Sequence, residues 1–413
     1  MKKILVFFLF FSFIYNLNYA LLPVHFGLLC GASGFLIFIN DLLKKQFIAG
    51  DYKKYVIALL LIPLTALPSL FLVDIDFYFL REQFFVVVLL VFYGYLVLRL
   101  LYYVDKENDC FENVLKYIVY SVLLQCLLAL VMFFLPSVKF LLISLLKYDE
   151  LAESVVVGIS EFRIIGFGTQ FFGAGVINSI ALLVLAYRIK IDVENNKSFW
   201  RKMVAYFFIF IVGMAMSRTT IIGGTVSIAL LIYTYIVKSR KYYRVFVLLF
   251  IVFFCYLLAN LSLDFLKSLV VSFKDNKVLA FGFEMIINLV EKGELSSDST
   301  EVMWSMYEII PDNMRAWLIG EGRFRDSNGI SYFKHVDIGY LRILFAVGII
   351  GFFGFILPYY FVCKELIKRY DYRELGLMLF LLYLLVLLKG IIIIYPIYVI
   401  IGGSVYLKIK KSH

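Results

Sequence analysis

The sequence predicts an all-α polytopic membrane protein with about 12 (11–12) transmembrane helices and one large helical loop on the outer side. Three observations predict it. Hydrophobic residues make up 63% of the 413, against roughly 45–50% in a soluble domain. They fall into runs that suit spans of about 20 residues. Charged residues, only 17% of the chain, gather in short clusters between those runs. With a mean hydropathy of +0.91, a soluble enzyme, a secreted disulfide scaffold and a disordered chain are all excluded.

Taken in order, spans are expected at about 4–20, 22–41, 55–73, 83–104, 113–135, 169–188, 203–217, 219–237, 244–262, 338–362, 374–388 and 391–407. Lys2 and Lys3 followed by an apolar stretch resemble a signal peptide, but no A-x-A cleavage site follows, so a retained first helix is expected. Lys44, Lys45, Lys53 and Lys54 share a side with Arg99 and Lys106, and with Arg188, Lys190, Lys197, Arg201 and Lys202. Lys238, Arg240, Lys241 and Arg244 join them, then Lys364, Lys368, Arg369 and Arg373. About 25 of the 40 basic residues fall there once the termini are added, which marks that side, and both termini, as cytoplasmic. A hairpin at Lys389-Gly390 keeps Lys408, Lys410 and Lys411 inside and favours twelve spans over eleven.

Two segments do not suit lipid. Residues 136–168 form a medium outer loop with an amphipathic stretch from Val138 to Leu146. Residues 263–337 form an outer loop domain of 75 residues, far longer than an ordinary connection. Within it Asp298-x-x-Glu301 reads as a capping box. Val302, Met303, Met306, Ile309 and Ile310 then share a helix face before Pro311, and Gly320, Gly322 and Gly329 mark turns. The organisation is therefore 1–262 (nine spans and the medium loop), 263–337 (the loop domain) and 338–413 (three spans and a cytoplasmic C-terminus). A structured external domain on a helical bundle points to work at the outer membrane boundary.

The net charge of +10 belongs to this topology, since no basic segment with interleaved aromatic residues suggests nucleic acid. Cys30, Cys110, Cys126, Cys255 and Cys363 lack CxxC spacing and are expected to be packing residues. No Walker A, GxSxG, HExxH or EF-hand pattern is present, so no cofactor or metal site is expected.

Cations beside apolar runs are the candidates for chemistry, because an arginine near a helix centre costs at least ~2.5–3.5 kcal/mol on insertion scales. Arg218, in Met216-Ser217-Arg218-Thr219-Thr220, sits at a helix junction whose following helix would present N-terminal amides. An arginine fork with such amides suits phosphate. Arg163 precedes the sixth span in Arg163-Ile164-Ile165-Gly166-Phe167-Gly168, either as a phosphate ligand or as an interfacial anchor. His335, between Lys334 and Asp337 where the long loop re-enters the membrane, has a side chain able to accept a proton or bind phosphate near neutral pH. A pyrophosphate leaving group without a metal needs cationic side chains to neutralise it.

These stretches resemble the bacterial O-antigen polymerase (Wzy) family, related to O-antigen ligases and other lipid-linked glycosyltransferases of the GT-C type. Beyond the many spans, the likeness lies in Arg163 to Gly168 running into Phe171-Phe172-Gly173-Ala174-Gly175, and in the Arg218 junction. It also lies in the run from Ser299 through Pro311 and Gly320-Glu321-Gly322-Arg323 to His335-Val336-Asp337-Ile338-Gly339-Tyr340-Leu341-Arg342. One departure is Ala174, eleven residues on from Arg163, where some polymerases carry glycine.

The resemblance implies a GT-C-like bundle in the bacterial inner membrane that joins undecaprenyl-diphosphate-linked oligosaccharide repeat units at its periplasmic face. The lipid-linked donor and acceptor and the membrane lipids are the implied partners, with a polysaccharide chain-length regulator as a further candidate. Arg163 and Arg218 would grip the donor diphosphate, with His335 as base or further phosphate contact. Arg323, Arg325, Arg342 and Lys389 are candidates for the acceptor diphosphate, and each also reads as surface or helix-end charge. Asp337 would orient His335 or cap a helix, and Tyr340 would stack on sugar or anchor the interface. An O-antigen ligase is the alternative within the same class. A lipid-linked oligosaccharide flippase is the alternative outside it, but it would be expected to show a two-half pseudo-repeat, and no repeat is visible here.

Overall fold

The computed structural model describes residues 2–65, 67, 81, 85–104, 109–147, 163–168, 171–238, 280–281, 284–294, 297–326, 332–391 and 395–407. The expected span at 244–262, Cys255 and the loop segments 148–162 and 263–279 lie outside them. No strand occurs among the described residues, only two isolated bridges, Tyr19 with Leu146 and Arg325 with Tyr332. The helices are α1 (Lys2–Ile14), α2 (Phe26–Leu43), α3 (Phe47–Leu59), α4 (Leu61–Thr65), α5 (Val87–Val104), α6 (Cys110–Phe134), α7 (Pro136–Ser144) and α8 (Phe171–Glu194). They continue with α9 (Trp200–Met216), α10 (Thr220–Lys238), α11 (Glu284–Lys292), α12 (Asp298–Met306), α13 (Met314–Ile319), α14 (Gly339–Lys368), α15 (Arg373–Leu387) and α16 (Tyr395–Tyr406).

Five described helices, α2, α5, α6, α8 and α14, are long and apolar enough to cross a membrane. Thr220–Tyr233 and Pro396–Tyr406 are shorter apolar stretches. Helices occur at the other described spans, but several end early for local reasons. Helix α1 stops where Asn16 takes a left-handed φ of 47°. The stretch expected as one span from 55 divides into α3 and α4, because Pro63 has no N–H to give Leu59 and so breaks the ladder at Leu60. The N-cap is Ser297 and not the expected Asp298, and it forms no capping box: its side chain makes no cap hydrogen bond to the helix amides, and its hydroxyl pairs with that of Thr300. Helix α7 covers most of the stretch expected to be amphipathic, yet none of its residues is fully buried.

Helix α8 is the centre. It is buried on every side from Ala174 to Tyr187, as a helix with no solvent side should be, and α6, α9, α10 and α15 surround it. Small residues let the backbones meet. A Cβ on Gly223 of α10 would strike Ser179 of α8, and one on Gly34 of α2 would strike the Phe92 carbonyl of α5. Asp41 is fully buried between α2 and α5, but Arg99 binds it at 2.5 and 3.1 Å and the Tyr95 hydroxyl at 2.8 Å. That pairing replaces the water the carboxylate has lost. Cys30, Cys110, Cys126 and Cys363 are buried packing residues.

The starts of α8, α10 and α14 and the end of α15 lie together at one end of the bundle, the site end. The opposite end is closed by charge pairs: Arg188 with Glu112 at 2.6 Å, Lys190 with Glu374 at 3.1 Å, Lys202 with Asp192, and Arg369 with Asp109 at 3.9 Å. A cavity of about 420 Å³ lies there, between Lys190, Glu194, Arg373 and Glu374. The turn at Lys389-Gly390 reverses the chain as expected, since Arg369 donates to the Val405 carbonyl of α16 at 2.5 Å.

Helix α14 is interrupted at Gly348 (φ 64°, ψ −170°). The break frees the Phe345 and Ala346 carbonyls, which accept from the amides of Glu321 (2.5 Å) and Gly322 (3.1 Å). Gly320-Glu321-Gly322, read from sequence as a turn, is therefore the cap of a broken membrane helix. A buried orphan carbonyl would otherwise cost about 1–3 kcal/mol. Gly348→Ala is expected to destabilise the protein by more than the ~1–3 kcal/mol of forcing this backbone region alone, because a Cβ there also meets the Leu318 carbonyl. Gly293→Ala, at φ 74° with open space around it, supplies the strain without the collision. Thermal unfolding in detergent should show the larger drop for Gly348→Ala.

Candidate functional site

The site begins with two pieces of backbone that must be placed before their side chains can meet. Ile164, Ile165 and Phe167 bury the loop 163–168 in the bundle. The Ile164 amide donates to the Ala215 carbonyl of α9 at 3.3 Å, and the Gln125 amide of α6 donates to the Phe167 carbonyl at 3.0 Å. Gly166 has no Cβ because Gln125 and Met216 fill that space, and Gly168 turns the chain at φ 92° against Tyr15 and Leu17. The glycines of this motif thus serve to hold Arg163 at the rim.

Arg218 stands between α9 and α10. Ser217 is extended (φ −160°), with Ser217, Thr219 and Thr220 buried around it. The Thr220 hydroxyl donates to the Gly213 carbonyl at 2.9 Å, and the Ser179 hydroxyl to the Thr219 carbonyl at 3.2 Å. The free helix amides expected here are corrected by the structure: Thr220, Ile221 and Ile222 donate back to the carbonyls of Ser217, Arg218 and Thr219 at 3.0 Å. A tight first turn satisfies its own donors, so the guanidinium carries the site. Beneath it, the Thr219 hydroxyl and both amide atoms of Asn178 are buried without hydrogen-bond partners.

The two arginines meet on one ring. The Arg163 guanidinium carbon lies 3.9 Å and that of Arg218 4.2 Å from the centre of Phe281, which places the two within about 8 Å of each other. At that distance two unit charges repel by about 2 kcal/mol at an effective dielectric near 20. A cation–π contact returns roughly 0.5–2 kcal/mol, and Glu284, at the start of α11, forms an ion pair with Arg218. Lys389 completes the group from the α15–α16 turn. Burial, with Arg218 and Arg163 nearby, pushes Lys389 down to about 8 despite Asp337. Burial and Arg218 push Arg163 down to about 10, with Glu284 opposing. Three cations are thus gathered in a poorly hydrated place, an arrangement that suits a multiply charged anion.

A second cluster adjoins this one. Arg342, near the start of α14 and only 7% exposed, is stacked by Tyr332 (3.7 Å) and Phe324 (4.2 Å) and binds Asp337 at 3.3 Å. Asp337 faces both Arg342 and Lys389, yet desolvation outweighs them and raises its carboxyl above the usual range. Lys334 binds Asp312 at 2.9 Å and Glu321 at 3.2 Å, which raises its ammonium group against the effect of burial. His335 is 81% exposed on an adjoining turn, 3.9 Å from Asp326, and no described contact joins it to the three cations. Arg323 lies 5.9 Å from the Phe333 ring, and Arg325 pairs with Tyr332 as a backbone bridge. Tyr340 donates its hydroxyl to the Leu384 carbonyl at 2.7 Å, tying α14 to α15.

The structure therefore brings Arg163, Arg218 and Lys389 together, with Asp337 and Arg342 beside them. Phe281 and Glu284 were not legible as site residues. A phenylalanine carries no signal in a chain with 43 of them. Glu284, a lone carboxylate in Phe281-Gly282-Phe283-Glu284-Met285, could have been matched to an arginine. In comparisons with known proteins, no family model, curated sequence or solved structure matches this chain.

Lys389 is charged below about pH 8 and neutral above it, so an anion held by this cluster should bind more weakly as pH rises through that value. Calorimetry with inorganic pyrophosphate is expected to show that loss in the native protein. Lys389→Arg should stay charged across the range and lose the dependence, whereas any ionisation of the probe itself affects both proteins alike.

Proposed function

We propose that this chain is an O-antigen polymerase of the GT-C type. It would join undecaprenyl-diphosphate-linked oligosaccharide repeat units at the periplasmic face of the bacterial inner membrane, through about twelve spans with both termini cytoplasmic. The observation that carries the reading is the pair of guanidinium groups gathered on the Phe281 ring with Lys389 nearby. A lipid diphosphate is an anion that arrives at such a height at the end of an apolar bundle. The sequence resemblance supplies the sugar chemistry.

In the reaction, an acceptor hydroxyl attacks the anomeric carbon of the donor glycan. The carbon–oxygen bond to diphosphate breaks, and undecaprenyl diphosphate leaves. Charge accumulates on the leaving diphosphate, and Arg163, Arg218 and Lys389 stabilise it where it forms. Glu284 holds the Arg218 fork in the resting site and must give it up to the donor phosphate. The hydroxyl proton passes to a carboxylate or imidazole of the loop. Asp337, half exposed but bound to Arg342 and facing Lys389, is better situated for this than His335, which no described contact joins to the cations. Arg342 holds Asp337 in place, while Arg323 and Arg325 remain candidates for the acceptor's anionic groups.

Gel profiling of surface polysaccharide from a deletion strain, with and without the gene restored, tests the reading. Loss of polymerase leaves single repeat units on the lipid A core, whereas loss of a ligase leaves none, and an unchanged profile excludes both. Restoration with Arg218→Ala, in protein that inserts normally, is expected to give no long chains. Arg218→Lys returns charge without the bidentate fork and should give partial activity. A wild-type ladder from Arg218→Ala would remove Arg218 from the mechanism. Asp337→Asn is expected to shorten or abolish chains more severely than His335→Ala, measured on the same gels at matched protein levels.

A further inference from the structure

Part of the long loop does not stand clear of the bundle. Helix α13 lies against α14 at its interruption, where Gly348 meets the backbone of Leu318 and Ile319, and Gly320 meets that of Ala346 and Val347. Only a glycine-to-backbone approach on both sides allows this closeness, and the two amide–carbonyl bonds from Glu321 and Gly322 lock it. The level of this contact follows from helix length. From Ile349 to Lys368, α14 runs for about 30 Å at 1.5 Å per residue, the thickness of a hydrocarbon core. With Lys364 and Lys368 at one boundary, the break at Gly348 falls at the other.

The outward surface of the segment carries large apolar side chains. Met314 is 74% exposed, and Trp304 and Leu318 are exposed as well. Just beyond the break, Ile349, Ile350 and Phe353 of α14 are exposed in the same way. Ala316, on the other side of α13, is buried. The exposed polar residues of the segment are Ser305 and Glu308, then Asp312, Asn313 and Arg315 at the start of α13, and Trp304 and Trp317 lie among them. Tryptophan and arginine beside aliphatic residues are the composition of an interfacial membrane segment.

We infer that residues 304–319 are seated in the membrane leaflet at the site end of the bundle, with α13 as an interfacial ledge whose Met314 and Leu318 contact lipid acyl chains. The occupant is lipid because the exposed Leu318 lies against Gly348, directly before the exposed Ile349, Ile350 and Phe353 of a helix long and apolar enough to span the bilayer. The loop is then a domain that dips back to the membrane and cements the broken end of α14. The inference is independent of the glycosyltransferase reading, since it concerns where the segment lies and not what the cations bind.

The test uses the full chain in nanodiscs of phosphatidylethanolamine and phosphatidylglycerol, with nitroxide labels placed singly at positions 312, 314 and 318. Labels at 314 and 318 should collide more with oxygen than with a water-soluble nickel chelate, and the ratio should reverse at 312. A second measurement needs no label on α13. In Trp200→Phe protein, brominated lipid should quench the fluorescence of Trp304 and Trp317 more than aqueous iodide does. Water-like accessibility at 314 and 318 would overturn the inference. So would shielding of both positions from both reagents, which would place a protein surface there, as would iodide outdoing brominated lipid.

Discussion

The feature on which the site depends is the joint burial of like charges at the end of an apolar bundle. Two guanidinium groups and an ammonium group draw no support from hydrocarbon, and each must be paid for locally. Phe281 offers a ring face to each arginine, and Glu284 neutralises Arg218. Asp337 opposes the downward pull on Lys389 without cancelling it. The compensation is incomplete: burial first, and the neighbouring cations after it, lower the proton affinities of Arg163 and Lys389. An arriving polyanion would offset those cations, which is why a diphosphate fits the place better than a neutral ligand would.

The rest of the bundle holds these groups at a fixed spacing. Arg163 is set by a loop clamped between Gln125 and Ala215, Arg218 by a junction whose Thr220 hydroxyl donates to α9 and whose Thr219 carbonyl accepts from Ser179 of α8, and Lys389 by the hairpin after α15. Three separate chain segments thus converge because α8 draws α6, α9, α10 and α15 around itself. The two ends of the bundle contrast. At the opposite end Arg188, Lys190, Lys202 and Arg369 each have a carboxylate partner, a pattern of closure. At the site end Arg163 rests on aromatic rings and opposes Arg218, a pattern of readiness for an anion.

Much of this was legible in the sequence wherever composition conflicts with lipid. Arg163, Arg218 and Lys389 stand out because a cation at the end of an apolar run demands a reason, and the structure brings all three together. The helical class and the hairpin at Lys389-Gly390 follow from the same kind of conflict. What failed to show were features that depend on approach in three dimensions. Gly320-Glu321-Gly322 reads as a turn, and only the break at Gly348 reveals what its amides cap. The amides after Arg218 look free in a sequence because nothing in the residue types announces a tight first turn. His335 drew attention for its rarity, yet rarity says nothing of position. Its place on an exposed turn beside Lys334, both residues at positive φ, is fixed by the anchoring of Lys334 to Asp312 and Glu321.

The two arginine clusters also divide the work between holding and receiving. Arg342 is stacked by Phe324 and Tyr332 and bound by Asp337, and its Nε is buried without a hydrogen-bond partner. Its effect is exerted through Asp337, which it orients. Arg218 is bound by a carboxylate too, but Glu284 comes from the long loop and not from the helices that place the arginine. A contact between a bundle and a loop can be exchanged for a contact between the bundle and a ligand without disturbing the packing of either helix. Arg342 and Asp337, by contrast, belong to one short run at the head of α14, where local chain geometry keeps them together. Asp337 then lies between a fixed arginine and a lysine whose charge responds to its surroundings.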